Sequence, residues 1–386
     1  MDGGAALTIE TLSGLTGIGR FEWDAAANPA GAPYDPFLSW DFLQALEQSG
    51  SAAPETGWAP RHLVLHGPGG GALAVAPAYL KTHSYGEYVF DHNWAHAYER
   101  AGGEYYPKLL SAVPFTPVTG RRLLAGPEAG EEAPDMLAAA LAEIARRFDL
   151  SSAHVNFAAD ADGEALRRAG FLERTGRQFH FFNRGYRDYQ DFLDALSSRH
   201  RKQLRKERAR AAEGVEIVAL SGSDLTEAHW DAFFEFYMDT GARKWGSPYL
   251  NREFFSLLND RMADQVVLFM ARRNGRWIAG ALNLLGSEAL YGRYWGRLED
   301  QPFLHFELCY HRAMEEAIAR GLSRVEAGAQ GEHKLARGYE PVETRSWHWI
   351  ADPGFREAVA RFLDAERAAT GEEIAMLSDY APFKKG

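Results

Sequence analysis

GEALRRAGFLERTGRQFHFF (residues 163–182) and GEHKLARGYEPVETRSWHWI (residues 331–350) are one passage written twice, 168 positions apart and without gaps. Gly163, Glu164, Gly170, Arg177 and His180 fall on Gly331, Glu332, Gly338, Arg345 and His348, and the aromatic residues Phe171, Phe179 and Phe181 fall on Tyr339, Trp347 and Trp349. Within this frame Ala165 and Leu166 become His333 and Lys334. A duplicated scaffold with polar groups added to one copy points to a single working site, in the second copy.

A second match lies upstream. RHLVLHGPGGGALAVAPAYLKTHSYGEYVFD (61–91) and VVLFMARRNGRWIAGALNLLGSEALYGRYW (266–295) each give an apolar run, a Gly-containing turn, a second apolar run and an aromatic-rich alternating run. Asn274-Gly275 is a strong hairpin signal. Each half therefore opens as a β-meander. Residues 1–35 read as a strand plus loops, Ser39 caps a helix over about 39–50, and 92–130 reads as an irregular aromatic insertion. Residues 133–149 form an amphipathic helix, followed by strand, short helix and strand. The second half repeats this order after a basic helix (197–213) and two further helices, with Gly321 capping the helix at about 303–320. Each half thus reads βββ–α–β–α–β, an α/β chain with mixed sheets.

At 386 residues the chain has room for two domains, and 46% hydrophobic with 25% charged residues is globular composition. No apolar run approaches bilayer length, and the N-terminus lacks the basic and apolar regions of a signal peptide. The single cysteine excludes an internal disulfide and fits a reducing cytoplasm. A net charge of −11 argues against bulk nucleic-acid binding and against DNA as a partner. Residues 199–210, RHRKQLRKERAR, are the exception, with seven Lys/Arg and one Glu. Such a run is either a solvated helix face or a phosphate-contacting helix, with Arg201, Lys202 and Arg205 as its contacts.

The order of elements resembles the GNAT acyltransferase fold, and two such domains joined by a basic helix resemble the FemAB/FemX-like transferases. A FemAB-like family of predicted bacterial N-acyltransferases is closer still. The resemblance is carried by FDHNWAHAYERAGGEYYPKL (90–109), AVPFTPVTG (112–120), LSSRHRKQLRKER (196–208), DTGARKWGSPYL (239–250), YGRYWG (291–296), PFLHFELCY (302–310) and EAGAQGEHKLARGY (326–339). It implies two tandem GNAT-like domains, expected at 1–190 and 191–386. It further implies transfer of an aminoacyl or acyl group to an amine, with aminoacyl-tRNA as donor and a peptidoglycan precursor as acceptor. An acyl-CoA or carrier-thioester donor is the alternative, and a catalytically silent ligand-binding module is the reading from another class.

Direct amide formation needs a base for the acceptor amine and donors for the oxyanion. There is no GxSxG elbow or Walker loop, Cys309 sits mid-helix, and neither His92 with His96 nor His305 with Glu307 carries the surrounding ligands of a zinc site. The Arg/Gln-x-x-Gly-x-Gly/Ala loop of acetyl-CoA enzymes is also missing, and no tightly bound cofactor is expected. The strongest cluster is 326–339. Glu326 ends a strand, and Glu326, His333 and Lys334 are the catalytic candidates, with Gln330 and Arg337 beside them. Tyr291, Arg293 and Trp295 are expected on one strand face, since side chains alternate. Arg243, Lys244 and Trp245 end a helix and suit an anionic or planar ligand. His92, Trp94, Tyr106 and Lys108 either line a groove or plug an interface.

Overall fold

The computed structural model describes residues 7–244, 248–328, 331–380 and 382–384, without the side chains of 242–244 and Glu332. In chain order the first strands are β1 (Thr8–Leu12), β2 (Trp58–Pro60), β3 (His62–His66), β4 (Ala72–Ala76) and β5 (Tyr79–Lys81). They are followed by β6 (Lys108–Ser111), β7 (Leu124–Ala125), β8 (Ser152–Ala158), β9 (Leu172–Phe182) and β10 (Glu216–Leu220). The last five are β11 (Val266–Arg273), β12 (Arg276–Leu285), β13 (Ala289–Arg297), β14 (Arg324–Glu326) and β15 (Glu340–Ile350). The helices are α1 (Arg20–Ala27), α2 (Trp40–Gln48), α3 (His92–Arg100), α4 (Ala133–Arg147), α5 (Asp160–Arg168) and α6 (Tyr189–Ala195). Then come α7 (Ser198–Ala211), α8 (Glu227–Lys244), α9 (Arg252–Met262), α10 (Leu304–Phe306), α11 (Arg312–Ala319) and α12 (Pro353–Ser378).

The chain forms two compact units, each discontinuous in sequence: 1–176 with 343–371, and 177–342 with 372–386. In the first, β1, β3, β4 and β7 make an antiparallel sheet, while β2, β5, β6, β8 and β15 make a mixed run in which only β6 and β8 are parallel. In the second, β10 to β13 form the expected meander, β13 pairs parallel with β14, and β14 pairs antiparallel with β9. Strand β9, from the first half of the sequence, thus completes the sheet of the second unit. Strand β15, from the second half, completes that of the first.

The first-half meander departs from expectation. Strands β3 and β4 form a hairpin, but β5 turns away to pair with β2 and β6. Pro77 follows β4 directly and has no N–H to extend that ladder. Two segments read as irregular are helical. Trp23, Ala26 and Ala27 give α1 a buried face, and Trp94 and Ala95 give one to α3. The capped start at Ser39 is as read, its hydroxyl accepting from Phe42 N–H.

Each unit has its own core. In the first, Leu137, Leu141 and Ala145 of α4 repeat every fourth residue and meet Val155, Trp347 and Trp349. In the second, Phe179 and Phe181 join Phe269, Ala281, Leu290 and Tyr339. The glycines matched in the repeat, Gly170 and Gly338, both end a helical turn at φ 87° and 86°, a left-handed conformation that glycine adopts without steric cost.

Candidate functional site

The site of interest lies wholly in the second unit, where β13 and β14 part. Their parallel ladder holds only for Ala289–Arg324, Leu290–Val325 and Tyr291–Glu326. Strand β14 then stops, while β13 continues against β12 as far as Arg297. The register of β12 and β13 slips at this point. Asn283 faces Gly292 and Leu282 faces Tyr294, so Arg293 is an extra residue without an opposite number. This bulge overturns the expected sharing of one strand face by Tyr291, Arg293 and Trp295. Residues directly opposite in an antiparallel pair lie on the same face. Tyr291 (opposite Leu284) therefore shares a face with Tyr294, and Trp295 (opposite Ala281) lies on the other. Trp295 packs on the core, with its ring 5.1 Å from that of His305.

Glu326 ends β14 at 4% exposure. One carboxylate oxygen accepts from Arg324 Nε at 2.8 Å; the other has no hydrogen-bond partner and lies 3.6 Å from His180 Nε2. Burial raises its pKa above the ordinary carboxylate value, against the pull of Arg324 and Arg293. His180, in contrast, is pushed down to about 3, by burial first and then by Arg324 and Lys334. The imidazole is therefore neutral at neutral pH, and its approach to Glu326 is a polar contact rather than an ion pair. The sequence reading set His180 in the repeat but gave it no role. Its place opposite Glu326 comes from the pairing of β14 with β9.

Beyond Glu326 the chain returns through a 3-10 turn, Glu332–Arg337. Lys334 is 2% exposed, and its ammonium donates to the carbonyls of Ala327 and Gly328, both at 2.7 Å. The rings of Phe179 and Tyr310 flank it at 5.9 Å each. Burial lowers its pKa to about 7. His333 is exposed and its Nε2 meets Tyr310 OH at 2.9 Å. Tyr310 belongs to a π turn, Glu307–His311, between α10 and α11, a local irregularity frequent at functional sites. Arg337 is 4% exposed, donates to Glu207 at 2.7 Å and to the His333 carbonyl at 2.7 Å, and covers the Phe306 ring at 3.5 Å. Its guanidinium ties the turn to α7.

The remaining candidates are dispersed. On α7, Arg201 pairs with Asp194 and Arg205 donates to Gln190, while Lys202 is exposed. Lys108 lies inside the first unit with no exposed surface. Its ammonium is taken up by Ser84 (2.8 Å), Glu87 (2.8 Å) and Asp91 (2.5 Å), an enclosed charge cluster and not a groove wall. These carboxylates are not recognisable as partners from local sequence, because they reach Lys108 only through folding. Trp94 packs with Tyr105, Val359 and Leu363, Tyr106 OH meets Ser84 at 2.8 Å, and the half-buried His92 lies among the rings of Tyr85 and Phe90. Trp245 and Gln330 lie outside the described residues, as do the side chains of Arg243 and Lys244. Among the described residues no helix is long and apolar enough to cross a membrane.

The family model for FemAB-like proteins, described as peptidoglycan biosynthesis/recognition, matches residues 14–385. No curated protein matches the chain. Among solved structures, FemX is 13% identical with a TM-score of 0.55, and the match covers 91% of this chain and all of FemX. The C-terminal domain (DUF2156) of an Agrobacterium fabrum protein assigned as a lysylphosphatidylglycerol synthetase is 10% identical with a TM-score of 0.55, covering 95% and 99% of the two chains. A tandem GNAT protein from the clavulanic acid biosynthesis pathway is 13% identical with a TM-score of 0.48, covering 90% and 99%. The fold is that of FemX, and the chain belongs to the FemAB-like family.

Proposed function

We propose that this protein transfers an acyl or aminoacyl group to the amine of a peptidoglycan precursor, and that the reaction takes place where β13 and β14 part. The observation that carries the reading is Glu326, a buried carboxylate with one unpartnered oxygen at the end of the shared parallel ladder. An acceptor amine placed there loses a proton to Glu326, whose raised pKa suits a base. The amine nitrogen forms a bond to the donor carbonyl carbon, and the carbonyl oxygen becomes an oxyanion. Lys334, with two ammonium protons on backbone carbonyls, keeps a third for that oxygen. Collapse breaks the bond to the leaving oxygen or sulfur, which takes the proton from Glu326. The chemistry at carbon is the same for an ester or a thioester donor. Family membership and the basic α7 favour aminoacyl-tRNA.

The test is turnover of Glu326→Gln with both an aminoacyl-tRNA and an acyl thioester. Loss of a general base costs roughly 10²–10⁴ in rate. The control is Glu164→Gln in the first copy, the counterpart of Glu332, where Glu164 is exposed and paired with Arg167 and Arg168. Equal losses in both variants, or none in Glu326→Gln, would overturn the single-site reading.

A further inference from the structure

Helix α7 carries its charge on two faces, and only one of them is neutralised. Leu204, Glu207 and Ala211 are buried. Arg201 and Arg208 are paired with acids: Arg201 with Asp194, and Arg208 with Glu307 and Glu315. Arg199, Lys202, Lys206 and Arg210 recur at steps of three and four residues along the exposed face. Among the described residues none of these four has an ion-pair partner. At 1.5 Å per residue the row is roughly 16 Å long. Such a row of unpaired cations in a chain of net charge −11 is complementary to a polyanion.

Around the helix from this row, on the side of Arg205, lies an open pocket of about 640 Å³. Its wall combines the apolar side chains of Leu193, Ile318 and Ala319 with the Tyr189 ring, Gln190 and Arg205. The Arg208 guanidinium covers the Tyr189 ring at 4.5 Å and fixes it in place. The rim also carries charge of both signs, with Asp188 beside Arg187 and Glu315 paired with Arg208, and an apolar, partly aromatic recess with such hydrogen-bonding edges fits a planar heterocycle. The position of Arg205, between the recess and Lys202 on the helix surface, links the two features.

We propose that this pocket and the exposed face of α7 bind a single-stranded stretch of RNA, one base seated in the pocket and the neighbouring phosphates along the row of Arg199, Lys202, Lys206 and Arg210. The inference rests on the RNA-linked donor reading above and assigns that donor a contact surface away from Glu326. A flat anionic membrane would meet the cationic row but would leave the recess unused. An unstacked base uses both, since every base offers a π-face for sequence-tolerant stacking.

The experiment is fluorescence anisotropy of the full-length protein with an RNA hairpin bearing a four-nucleotide single-stranded 3′ end, over 50–200 mM salt. A blunt hairpin and phosphatidylglycerol vesicles serve as comparisons. Single-strand contacts give a slope of about −0.7 per phosphate, so four contacts predict about a 50-fold loss of affinity across this range. The variant Arg199→Gln/Lys202→Gln/Lys206→Gln/Arg210→Gln is expected to flatten that slope. Ala319→Trp, at an exposed position of the pocket wall, is expected to weaken the overhang RNA about tenfold while keeping the slope and blunt-hairpin binding. Equal binding of blunt and overhang RNA, preference for vesicles, or an Ala319→Trp protein that binds like the wild type would overturn the proposal. Turnover of an acyl thioester by the wild-type protein is measured alongside. If it persists without RNA binding, the RNA surface fails and the transferase reading stands. If RNA binds as expected and no donor is turned over, the transferase reading fails instead.

Discussion

Lys334 is the oxyanion donor of the proposed reaction. It is buried, it holds two backbone carbonyls, and its pKa of about 7 sets its charge in the working range. The sign of the pH effect follows. Below about 7 the ammonium is present and can stabilise an oxyanion; as pH rises through that value the proton is lost. Glu326 acts in the opposite sense, since its carboxylate forms only above a pKa raised from 4.5. We therefore expect a bell-shaped kcat profile whose alkaline limb falls near pH 7. In Lys334→Met that limb should vanish, together with a loss of about 10²–10³ in kcat. An alkaline limb unchanged in Lys334→Met would show that another group titrates there. His333, the other added residue of the second copy, is exposed and bonded to Tyr310, which places it at the rim of this cluster.

At the scale of elements, the geometry of β13 decides the site. The bulge at Arg293 lies just beyond Tyr291–Glu326, the last pair of the β13–β14 ladder, and α8 packs on the same strand. Gly296 makes that approach possible. A Cβ there would stand 2.2 Å from the Phe236 carbonyl oxygen, a backbone atom of α8 that no rotamer change can move. Gly296→Ala should therefore destabilise the protein by roughly 1–3 kcal/mol or more, as overpacking does. Thermal melting checks this directly: a Tm within a degree of wild type would mean that α8 shifts at no cost. Gly292, in the same strand, is the contrast. A Cβ there meets its nearest neighbours at 3.4–3.7 Å, ordinary contact, and alanine should be tolerated.

For the whole molecule, the division of the chain is the distinctive property. We propose that 1–190 and 191–386 are the duplicated segments and that each lends its last strand to the other unit. In support, β15 pairs antiparallel with β8 as β9 does with β14, and the histidines matched in the repeat, His180 and His348, stand opposite Glu326 of β14 and His154 of β8. A fragment ending at 190 lacks Trp347 and Trp349, both in the first unit's core. Each such ring buries roughly 150–250 Å², worth about 4–6 kcal/mol at ~25 cal/mol per Å². That rivals the ~5–15 kcal/mol stability of an entire domain. Separately expressed 1–190 and 191–386 should show no cooperative melt alone and recover one when mixed. A sharp melt from either fragment by itself would count against the exchange.

The sequence by itself determined the elements whose cause is local. The 168-residue repeat, the Ser39 cap, the Asn274-Gly275 hairpin, the left-handed glycines and the periodicity of α4 could all be read from neighbouring residues. It also marked His333 and Lys334 as the additions of one copy, with Glu326 as a candidate in the same cluster. The tertiary structure alone decided what depends on which strand lies beside which. His180 reaches Glu326, Lys108 meets Glu87 and Asp91, and Trp347 enters the first unit's core through pairings between segments from 17 to nearly 200 residues apart. The bulge at Arg293 belongs to the same class, because a register slip exists only between two strands. Local propensity acts over a few residues of chain. Burial, pairing register and pKa are set by whatever the folded chain brings within a few ångströms.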